Sequence, residues 1–488
     1  MTDEGLRMTE REVFNNLIER KTPMAKTSSA TKRPAGKSKQ ASAPTPEAIQ
    51  KMLNKAKQPS ADAMTMHPFY KGKIEIVPKS CIRDYSDFAI WYTPGVAAPC
   101  KDIQANPEKV FEHTNKWNTV AIITDGTRVL GLGDIGPHAA IPVMEGKGML
   151  FKYLGGVDAF PICLDTKDPD EFIKTVKYLE PCFGGINLED ISQPKCFRIL
   201  DTLRKEMPIP VWHDDQQGTA AVTLAGLINA VKVQGKKLSQ VKIAMVGAGS
   251  ANICISRMII KAGVNPKNII MVDTKGTLHR DRKDLEIGHP EKWEMCLKSN
   301  ANNVKGSIPE AMKGAEVLLA LSHPGPGTIK KEWIRMMAPK PIVFVCANPV
   351  PEIWPWEAKE AGADIVATGR SDFPNQVNNS LGFPAIFRGA LDVRARTITD
   401  EMCIASAEAL AKYAEKKGLS KEHLIPTMSD WRVYPEEAVA VGMKAIEQGV
   451  AKVILTADQL RDNATRMIQR SIKITKMMMK EKIIQLPK

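Results

Sequence analysis

The chain has 488 residues, more than one hydrophobic core usually supports, so we expect two or three domains. Because 43% of the residues are hydrophobic but no apolar run approaches the roughly 18 positions of a membrane span, the sequence predicts no transmembrane segment. The net charge of +13 lies mostly in residues 1–58 and 457–488, and the nearly neutral body argues against nucleic-acid binding as the main function.

The N-terminal region is predicted to be disordered. Residues 22–48 are rich in Lys, Ser, Thr, Ala and Pro and contain few large apolar side chains, so burial cannot offset the entropy of ordering them. We therefore assign residues 1–60 to a disordered, basic N-terminal extension. From about residue 62 to residue 455, short β-rich apolar runs alternate with helical patterns, which predicts an α/β protein.

Two pairs of acidic residues follow two strand-like runs. Glu189 and Asp190 come after "GGINL", and Asp214 and Asp215 come after "PVWH". Four like charges at neighbouring strand ends repel one another unless a cation lies among them, and Mg²⁺ or Mn²⁺ takes oxygen ligands. The alternative is that the aspartates cap the helix predicted to begin after Asp215. The spacing alone leaves both interpretations open.

Residues 241–273 have the pattern of a βαβ unit that binds a dinucleotide. A strand leads into a Gly-Ala-Gly turn, a helix follows, and a second strand ends at Asp273. Because Asn252 stands where a third glycine is usual, we expect the helix and the strand to pack less closely. The alternative is a glycine turn that binds no ligand. The residues predicted to hold the pyrophosphate are Gly247, Ala248, Gly249, Ser250, Ala251 and Asn252.

Asp273 and the loop after it bear on the choice between NAD and NADP. An acid at this position hydrogen-bonds the ribose hydroxyls of NAD and repels the extra phosphate of NADP, which favours NAD. Four basic residues follow closely, and a basic loop folded over the ribose would reverse this preference. These residues are Lys275, His279, Arg280 and Arg282.

Seven sequence blocks stand out along the chain: "WYTPGVAAPC", "ITDGTRVLGLGDIGPHAAIPVMEGKGMLFK", "GINLEDISQP", "HDDQQGTAAV", "VGAGSAN", "CANPVPE" and "PNQVNNSLGFPAIFRGALDV". These blocks occur in the order found in malic enzymes, and the chain resembles the shorter, bacterial-type branch of that family over about residues 65 to 455. The resemblance implies oxidative decarboxylation of malate to pyruvate and CO₂, with NAD or NADP and Mg²⁺ or Mn²⁺. It also implies a homodimer or homotetramer.

The resemblance further implies a role for each of several residues. To accept a proton Lys147 must be neutral, and we expect burial and a metal charge to lower its pKa. Lys152 is the second candidate for this base. The implied roles are metal ligands for Glu189, Asp190 and Asp215; catalytic base, acid and neighbouring carboxylate for Lys147, Tyr92 and Asp214; and malate binding for Arg128, Asn348 and Asn379, with Asn348 beside the nicotinamide.

Each of these residues also has an ordinary structural interpretation. Without the resemblance, Lys147 would be read as a solvated surface lysine and Tyr92 as a half-buried aromatic residue. Arg128 would pair with a structural acid, and the two asparagines would end strands.

The fold prediction is an α/β chain with two main domains. We expect a substrate- and metal-binding α/β domain in residues 61–220 and a Rossmann-type doubly wound domain in residues 221–455, with the site in the cleft between them. Residues 456–488 are predicted to form a basic, Met-rich helical tail. Nine scattered cysteines without a C-x-x-C spacing argue against a disulfide framework or a zinc site and favour the cytoplasm.

Other functions remain possible at this point. A non-decarboxylating 2-hydroxy-acid dehydrogenase would share the dinucleotide site but would need no carboxylate-bound metal. A catalytically silent, nucleotide-binding scaffold is the rival from another class, although it has no physical need to keep the implied lysine, tyrosine and acids together. A nucleic-acid partner would act through the basic tails and would bind in a salt-sensitive way.

Overall fold

The computed structural model describes residues 45–487, which form two compact units. The smaller unit contains residues 45–73 and 473–487, and its helix α1 is Pro46–Tyr70. The Tyr70 hydroxyl donates to the carbonyl oxygen of Gln485 at 2.8 Å. The disorder predicted for residues 46–60 is wrong, because this stretch is rich in good helix formers and a proline occupies the first helical position. The rest of the predicted extension lies outside the described residues.

The larger unit, residues 74–472, contains a four-stranded parallel sheet with the strand order β2-β1-β3-β4. Its strands come from short apolar runs, and all six residues of β1 are buried. Because β2 and β3 lie on opposite sides of β1, the carboxyl ends of β1 and β3 flank a point where the chain reverses direction across the sheet, which is where ligands bind in open α/β sheets. The strands are β1 Thr119–Thr124, β2 Asp158–Cys163, β3 Gly185–Leu188 and β4 Val211–His213.

Six α-helices of the larger unit come before or between these strands. The side chain of Asp168 accepts hydrogen bonds from the backbone N–H groups of Asp170 and Glu171 and so fixes the start of α6. Gly156, with φ of +66°, ends α5 in the left-handed conformation that glycine tolerates best. The helices are α2 Phe88–Trp91, α3 Ala97–Ala105, α4 Val110–His113, α5 Gly136–Gly155, α6 Pro169–Leu179 and α7 Lys195–Glu206.

A second sheet of six strands has the order β10-β9-β8-β5-β6-β7 and is parallel except for β7. Alternate residues of its strands face two separate hydrophobic cores: Ile243 and Met245 belong to one, Ala244 and Val246 to the other. Burial on both faces explains why these strands read as continuous apolar runs. The strands are β5 Ile243–Val246, β6 Ile269–Asp273, β7 Gly276–Thr277, β8 Val317–Ala320, β9 Ile342–Val345 and β10 Ile365–Thr368.

Helices cover this second sheet as expected for a Rossmann-type fold. The helix that connects the two sheets, α8, is apolar almost throughout and is buried along most of its length. The α/β fold class, with a doubly wound dinucleotide-type sheet, is therefore confirmed. The helices are α8 Thr219–Val233, α9 Ser250–Lys261, α10 Pro290–Lys298, α11 Ile308–Met312, α12 Lys331–Arg335 and α13 Pro355–Glu360.

After β10 the chain returns to the first sheet, within the segment 221–455 that is predicted to form the Rossmann-type domain. The ring of Phe151 in α5 lies 4.6 Å from that of Phe383 and 5.3 Å from that of Phe387. Nη1 of Arg388 donates to Oδ1 of Asn118 at 2.5 Å. The returning helices are α14 Phe383–Asp392, α15 Asp400–Lys417, α16 Val433–Glu447 and α17 Ala457–Lys480.

Helix α17 lies within the predicted helical tail, residues 456–488, and ends at Lys480. Its buried positions Leu460, Ala464 and Ile468 recur at the spacing of one helix face. Although α17 has 24 residues, neither it nor any other helix of the described residues is long and apolar enough to cross a membrane.

Candidate active site

The four predicted acids gather at the carboxyl ends of β3 and β4. Carboxylate oxygens of Glu189, Asp190 and Asp215 all lie within 4.8 Å of one another. The Asp190 N–H donates to Oδ2 of Asp215 at 2.8 Å, and Oδ2 of Asp190 is buried without a hydrogen-bond partner among the described residues. Asp190 has a φ of +55°, a strained conformation for a residue other than glycine. These three residues form a compact oxygen cage, which we call the carboxylate triad.

Burial and mutual repulsion shape the protonation of the triad. Burial raises the pKa of Glu189 and of Asp190 well above the ordinary values, and neighbouring negative charges raise both further. Burial also raises the pKa of Asp215. Because an all-oxygen cage with excess negative charge matches the ligands of hard divalent cations, the triad is suited to hold Mg²⁺ or Mn²⁺.

Asp214 and Asp215 do not cap the helix after them. Residues Asp214–Gly218 form one π-helical turn before α8, and no side chain hydrogen-bonds the first N–H groups of that helix. Asp214 instead accepts from the indole N–H of Trp212 at 3.2 Å and from Lys147. π-Helical turns occur often at functional sites. The capping interpretation is therefore wrong for both aspartates.

Lys147 lies at the centre of the acids. Its Nζ contacts Oδ2 of Asp214, lies 2.8 Å from Oε1 of Glu189 and stands 4.5 Å above the ring of Phe383. Burial by itself would lower the pKa of Lys147, but the charges of Asp214 and Glu189 together raise it above the ordinary value. The lowered pKa predicted from the sequence depends on a metal charge as well as on burial, so it stays a prediction. Lys152, the second candidate, is 39% exposed and pairs with Asp158 at 2.6 Å.

Arg128 belongs to the loop after β1 and borders the triad. Its backbone N–H donates to the carbonyl oxygen of Asp190 at 2.9 Å, which joins the ends of β1 and β3. Its side chain is exposed, and its charge acts to lower the pKa of Asp215. No ion pair of the described residues includes Arg128, so the alternative in which Arg128 pairs with a structural acid finds no such acid there. The guanidinium is free to bind an anion.

Tyr92 is not in hydrogen-bond contact with this cluster. It directly follows α2, is 71% exposed, and its hydroxyl takes part in no hydrogen bond of residues 45–487. The alternative interpretation of Tyr92 as a half-buried aromatic residue does not hold either, because most of its side chain is exposed. Several apolar side chains around Tyr92 are also exposed, including those of Ile90 and Trp91.

The dinucleotide turn has the predicted form. Gly247 has a φ of +97°, and a Cβ there would come within 2.4 Å of the carbonyl oxygen of Leu321, so only glycine fits. Helix α9 begins at Ser250, which directs its N-terminal N–H groups to the turn. Asn252 is wholly buried and donates to the carbonyl oxygens of Val246 at 3.0 Å and Gly247 at 2.8 Å. The looser packing expected at Asn252 is therefore wrong.

Asp273 ends β6, as predicted, but Arg282 already binds its carboxylate. Nη1 and Nη2 of Arg282 donate to the two Asp273 oxygens at 3.0 and 2.9 Å, and Nε of Arg282 donates to Asp284 at 2.9 Å. Burial by itself would raise the pKa of Asp273, but the hydrogen bonds from Arg282 lower it below the usual value. The basic loop considered in the sequence therefore does fold back over this acid.

The loops that carry Arg128 and Asn348 meet between the two sheets. A Cβ on Gly131 would come within 2.6 Å of the Asn348 carbonyl oxygen, so the two loops are in direct contact. The Asn348 side chain lies against Gly369 at the end of β10. Asn379 lies beside Gly218 in the π turn, since a Cβ on Gly218 would be 3.4 Å from Cβ of Asn379. Asn379 therefore borders the cluster of acids, and Asn348 borders the cleft.

Two further residues contribute to the site. Asn187 is wholly buried in β3 and donates from Nδ2 to Oε2 of Glu189 at 2.9 Å. The sequence could have indicated Asn187, because residues two apart in a strand lie on the same face and Asn187 stands two positions before Glu189. Phe383, whose ring covers Lys147, lies four residues after Asn379 in the same sequence block, but no local pattern indicates that α14 returns to this site.

The doubly wound sheet with its glycine turn, facing a carboxylate triad with a buried lysine, places the chain in the class of dinucleotide-dependent oxidoreductases. The family models described as "Malic enzyme, N-terminal domain" and "Malic enzyme, NAD binding domain" match residues 71–204 and 216–448. The chain belongs to the malic enzyme family.

Individual relatives agree with this assignment. The NAD-dependent malic enzyme of Geobacillus stearothermophilus is 50% identical over 381 residues, which cover 78% of each chain. The NADP-dependent malic enzyme of Halomonas elongata is 42% identical over 396 residues, which cover 78% of this chain and 92% of that relative. The crystal structure of Entamoeba histolytica malic enzyme matches with a TM-score of 0.87 and 50% identity, over 89% of this chain and 92% of that one.

Proposed function

We propose that the chain oxidatively decarboxylates malate to pyruvate and CO₂, with reduction of NAD or NADP and with Mg²⁺ or Mn²⁺. The observation that carries this proposal is the contact of Lys147 with both Asp214 and Glu189. Both carboxylates belong to a cluster of acids that faces the sheet carrying the dinucleotide turn. The family assignment supports it. A cytoplasmic location fits the nine cysteines, all of which are free thiols.

The metal would be held by Glu189, Asp190 and Asp215. When bound there, a divalent cation would acidify the malate hydroxyl and stabilise negative charge left by the departing CO₂. Asn187 fixes one oxygen of Glu189, and the Asp190 N–H fixes one oxygen of Asp215, so both ligands are held in place without the metal.

Lys147 would take the hydroxyl proton on its Nζ. The two carboxylate contacts now hold a proton on that atom, so the base becomes competent only when one of these negative charges is compensated. Asp214 and the Phe383 ring fix the direction of Nζ, and a bound dinucleotide would supply the oxidant for the carbon that carries the hydroxyl. Arg128 would hold a malate carboxylate through its planar fork, beside Asn348 and Asn379.

A metal-ligand substitution tests the site assignment. We expect Asp215→Ala to abolish activity and to lower Mn²⁺ affinity at least a hundredfold, because it removes one of three ligands. Loss of a helix cap would cost only about 1 kcal/mol of stability. Calorimetric Mn²⁺ titration of wild type and variant measures this, and unchanged affinity would remove Asp215 from the metal site.

Tyr92 would donate the proton to carbon after CO₂ leaves, and we propose that a second copy of the chain is needed to bring it to a site. Residues 76–92 expose several apolar side chains, and exposed apolar patches often mark interfaces. A homodimer or homotetramer is accordingly proposed. Mixing inactive Lys147→Ala and Tyr92→Phe chains tests this. Partial recovery of activity would show that the two residues come from different chains, and no recovery would place both in one chain.

The cofactor preference turns on Arg282. Since its fork neutralises Asp273, the repulsion that favoured NAD in the sequence is weakened, and we propose that the chain uses NADP at least as well as NAD. We expect Arg282→Ala to free Asp273 and to shift the ratio of kcat/KM values at least tenfold toward NAD. Initial rates with both cofactors measure this ratio. An unchanged ratio would show that Arg282 does not read the ribose.

The activity itself is tested with the purified chain, malate, each dinucleotide and a series of metals. We expect reduced dinucleotide to appear only with Mg²⁺ or Mn²⁺, and chelation to stop it. Turnover that is unaffected by chelation would support the non-decarboxylating dehydrogenase. Dinucleotide binding without any turnover would support the silent scaffold.

A further inference from the structure

Glu352 is a wholly buried acid outside the carboxylate cluster, at the carboxyl ends of β8 and β9. Its Oε1 accepts from the N–H of Ser322 at 2.9 Å, and its Oε2 accepts from the N–H of Ala347 at 3.1 Å. The Ser322 hydroxyl also donates to Oε1, at 3.3 Å. Because Ser322 follows β8 and Ala347 follows β9, one side chain joins the ends of two adjacent strands.

The main chain around Glu352 strengthens this connection. Its carbonyl oxygen accepts from the N–H groups of Gly327 and Ile329, both at 3.1 Å, and the carbonyl oxygen of Val350 accepts from Gly325 at 3.2 Å. The loops 322–329 and 347–352 are therefore one hydrogen-bonded unit, which we call the double loop.

The double loop borders three parts of the proposed site. A Cβ on Gly247 would lie 3.2 Å from Cα of Ser322, so the dinucleotide turn rests against the first loop. Asn348 directly follows Ala347, in the second loop. The loop that carries Arg128 touches the second loop through the contact of Gly131 with Asn348. A displacement of the double loop would thus move groups on both sides of the cleft.

A carboxylate at this place needs a reason, because burying a charge is costly unless it is well compensated. No Lys, Arg or His of the described residues pairs with Glu352, and the titratable group that faces it is the buried thiol of Cys346. Its compensation comes from backbone N–H groups and one hydroxyl. A carboxylate can accept from both strand ends at once, whereas a glutamine would turn its NH₂ group toward one of the N–H donors.

We propose that Glu352 is a positioning residue of the dinucleotide site. It holds Ser322 behind the dinucleotide turn and Asn348 at the cleft. This role rests on the proposed function. Because Glu352 is buried away from solvent, it acts through these neighbours. We expect that the loss of its acceptor pattern weakens dinucleotide binding and turnover, while metal binding on the first sheet is unaffected.

The test compares wild type with Glu352→Gln and with a control, Glu357→Gln. Glu357 accepts from the N–H of Trp354 at 3.3 Å inside its own helix turn, so it is a nearby carboxylate with a purely local contact. Dissociation constants for NADH and NADPH come from fluorescence titration, Mn²⁺ affinity from calorimetry, and kcat from initial rates. For Glu352→Gln we expect dinucleotide dissociation constants at least tenfold higher and kcat at least fivefold lower, with Mn²⁺ affinity within twofold. Glu357→Gln should match wild type.

Two results would overturn the inference. Dinucleotide binding and kcat of Glu352→Gln within twofold of wild type would show that Glu352 does not position the site, and an equal loss of Mn²⁺ affinity would show a general structural defect. If Glu352→Gln is insoluble, Ser322→Ala replaces it, with about a threefold rise in dissociation constant expected and no change contradicting. A wild-type chain that binds neither dinucleotide would instead refute the proposed function itself.

Discussion

Lys147 contacts two carboxylates that have different roles in the proposed reaction. Asp214 fixes the direction of Nζ, while Glu189 is also one of the three acids that would hold the metal. The protonation of Lys147 therefore depends on what else Glu189 binds. In the proposed reaction, charge compensation at Glu189 by the metal would free the proposed base, Lys147, to accept a proton.

The role of Lys147 is tested by removing its amine. We expect Lys147→Ala to lower kcat by a factor of about 10³, within the usual range for the loss of a general base, with dinucleotide affinity unchanged because the dinucleotide turn is untouched. Lys152→Ala is the matched control, since Lys152 lies on the same helix but pairs with Asp158. Initial rates and NADH titration measure both variants. If Lys147→Ala keeps a tenth of the wild-type kcat, Lys147 is not the base.

The buried Glu352 should leave a signature in the pH dependence of stability. Burial raises its pKa from the ordinary value of 4.5 to about 7. Because the folded chain then holds this proton more tightly than the unfolded chain, its stabilising contribution is complete below pH 4.5 and is lost as the pH rises through about 7. Relative to Glu352→Gln, we expect the free energy of unfolding of wild type to fall by at most about 3 kcal/mol over this range. Urea denaturation at several pH values measures it, and parallel curves for the two proteins would contradict the shift.

At the scale of elements, the π turn at Asp214–Gly218 is the feature on which the cluster most depends. It places Asp214 toward Lys147 and Asp215 toward Asp190 from consecutive positions. The turn is so tight that a Cβ on Gly218 would come within 1.9 Å of Oδ1 of Asp214. A regular helical start would not send two adjacent side chains to these two partners.

Gly218→Ala is expected to displace Asp214 and so to impair both stability and catalysis. Overpacking of this kind typically costs about 1–3 kcal/mol, and we expect kcat to fall at least a hundredfold because Lys147 loses its orienting partner. Gly146→Ala is the control, since Gly146 precedes Lys147 in α5 and has open space around its Cα. It should keep full activity and gain about 0.5–1 kcal/mol of stability. Thermal denaturation and initial rates report both effects, and a fully active Gly218→Ala would show that the crowding is relieved harmlessly.

The same elements show what the sequence could and could not predict. The acidic pairs and the glycine turn were predictable, because strand ends and tight turns are local signals. The pKa of Lys147 was not, since it depends on the balance of burial against two charges from other elements. The return of α14 to the first sheet was not predictable either, because the apolar face of a helix does not name the surface that it covers. The pairing of Arg282 with Asp273 was only one of two open possibilities.

Across the larger unit, the four-stranded sheet and the parallel strands of the six-stranded sheet present their carboxyl ends to one region. The first sheet supplies the triad and Lys147, the second supplies the dinucleotide turn, and the contact of Gly131 with Asn348 joins the two. The returning helices lock the arrangement, since Phe383 packs on both Phe151 and Lys147. Residues that act together in the proposed reaction thus come from parts of the chain more than 200 positions apart.

The proposed function requires that this cleft couple the oxidation of malate to the loss of CO₂. The most direct measurement is the ratio of CO₂ released to dinucleotide reduced by the purified wild-type chain, with malate and Mn²⁺, over a complete time course. We predict a ratio of about one, with pyruvate as the organic product, and no release of CO₂ when Mn²⁺ is chelated. Reduced dinucleotide that accumulates without CO₂ would refute the proposed function and would make the protein a non-decarboxylating dehydrogenase.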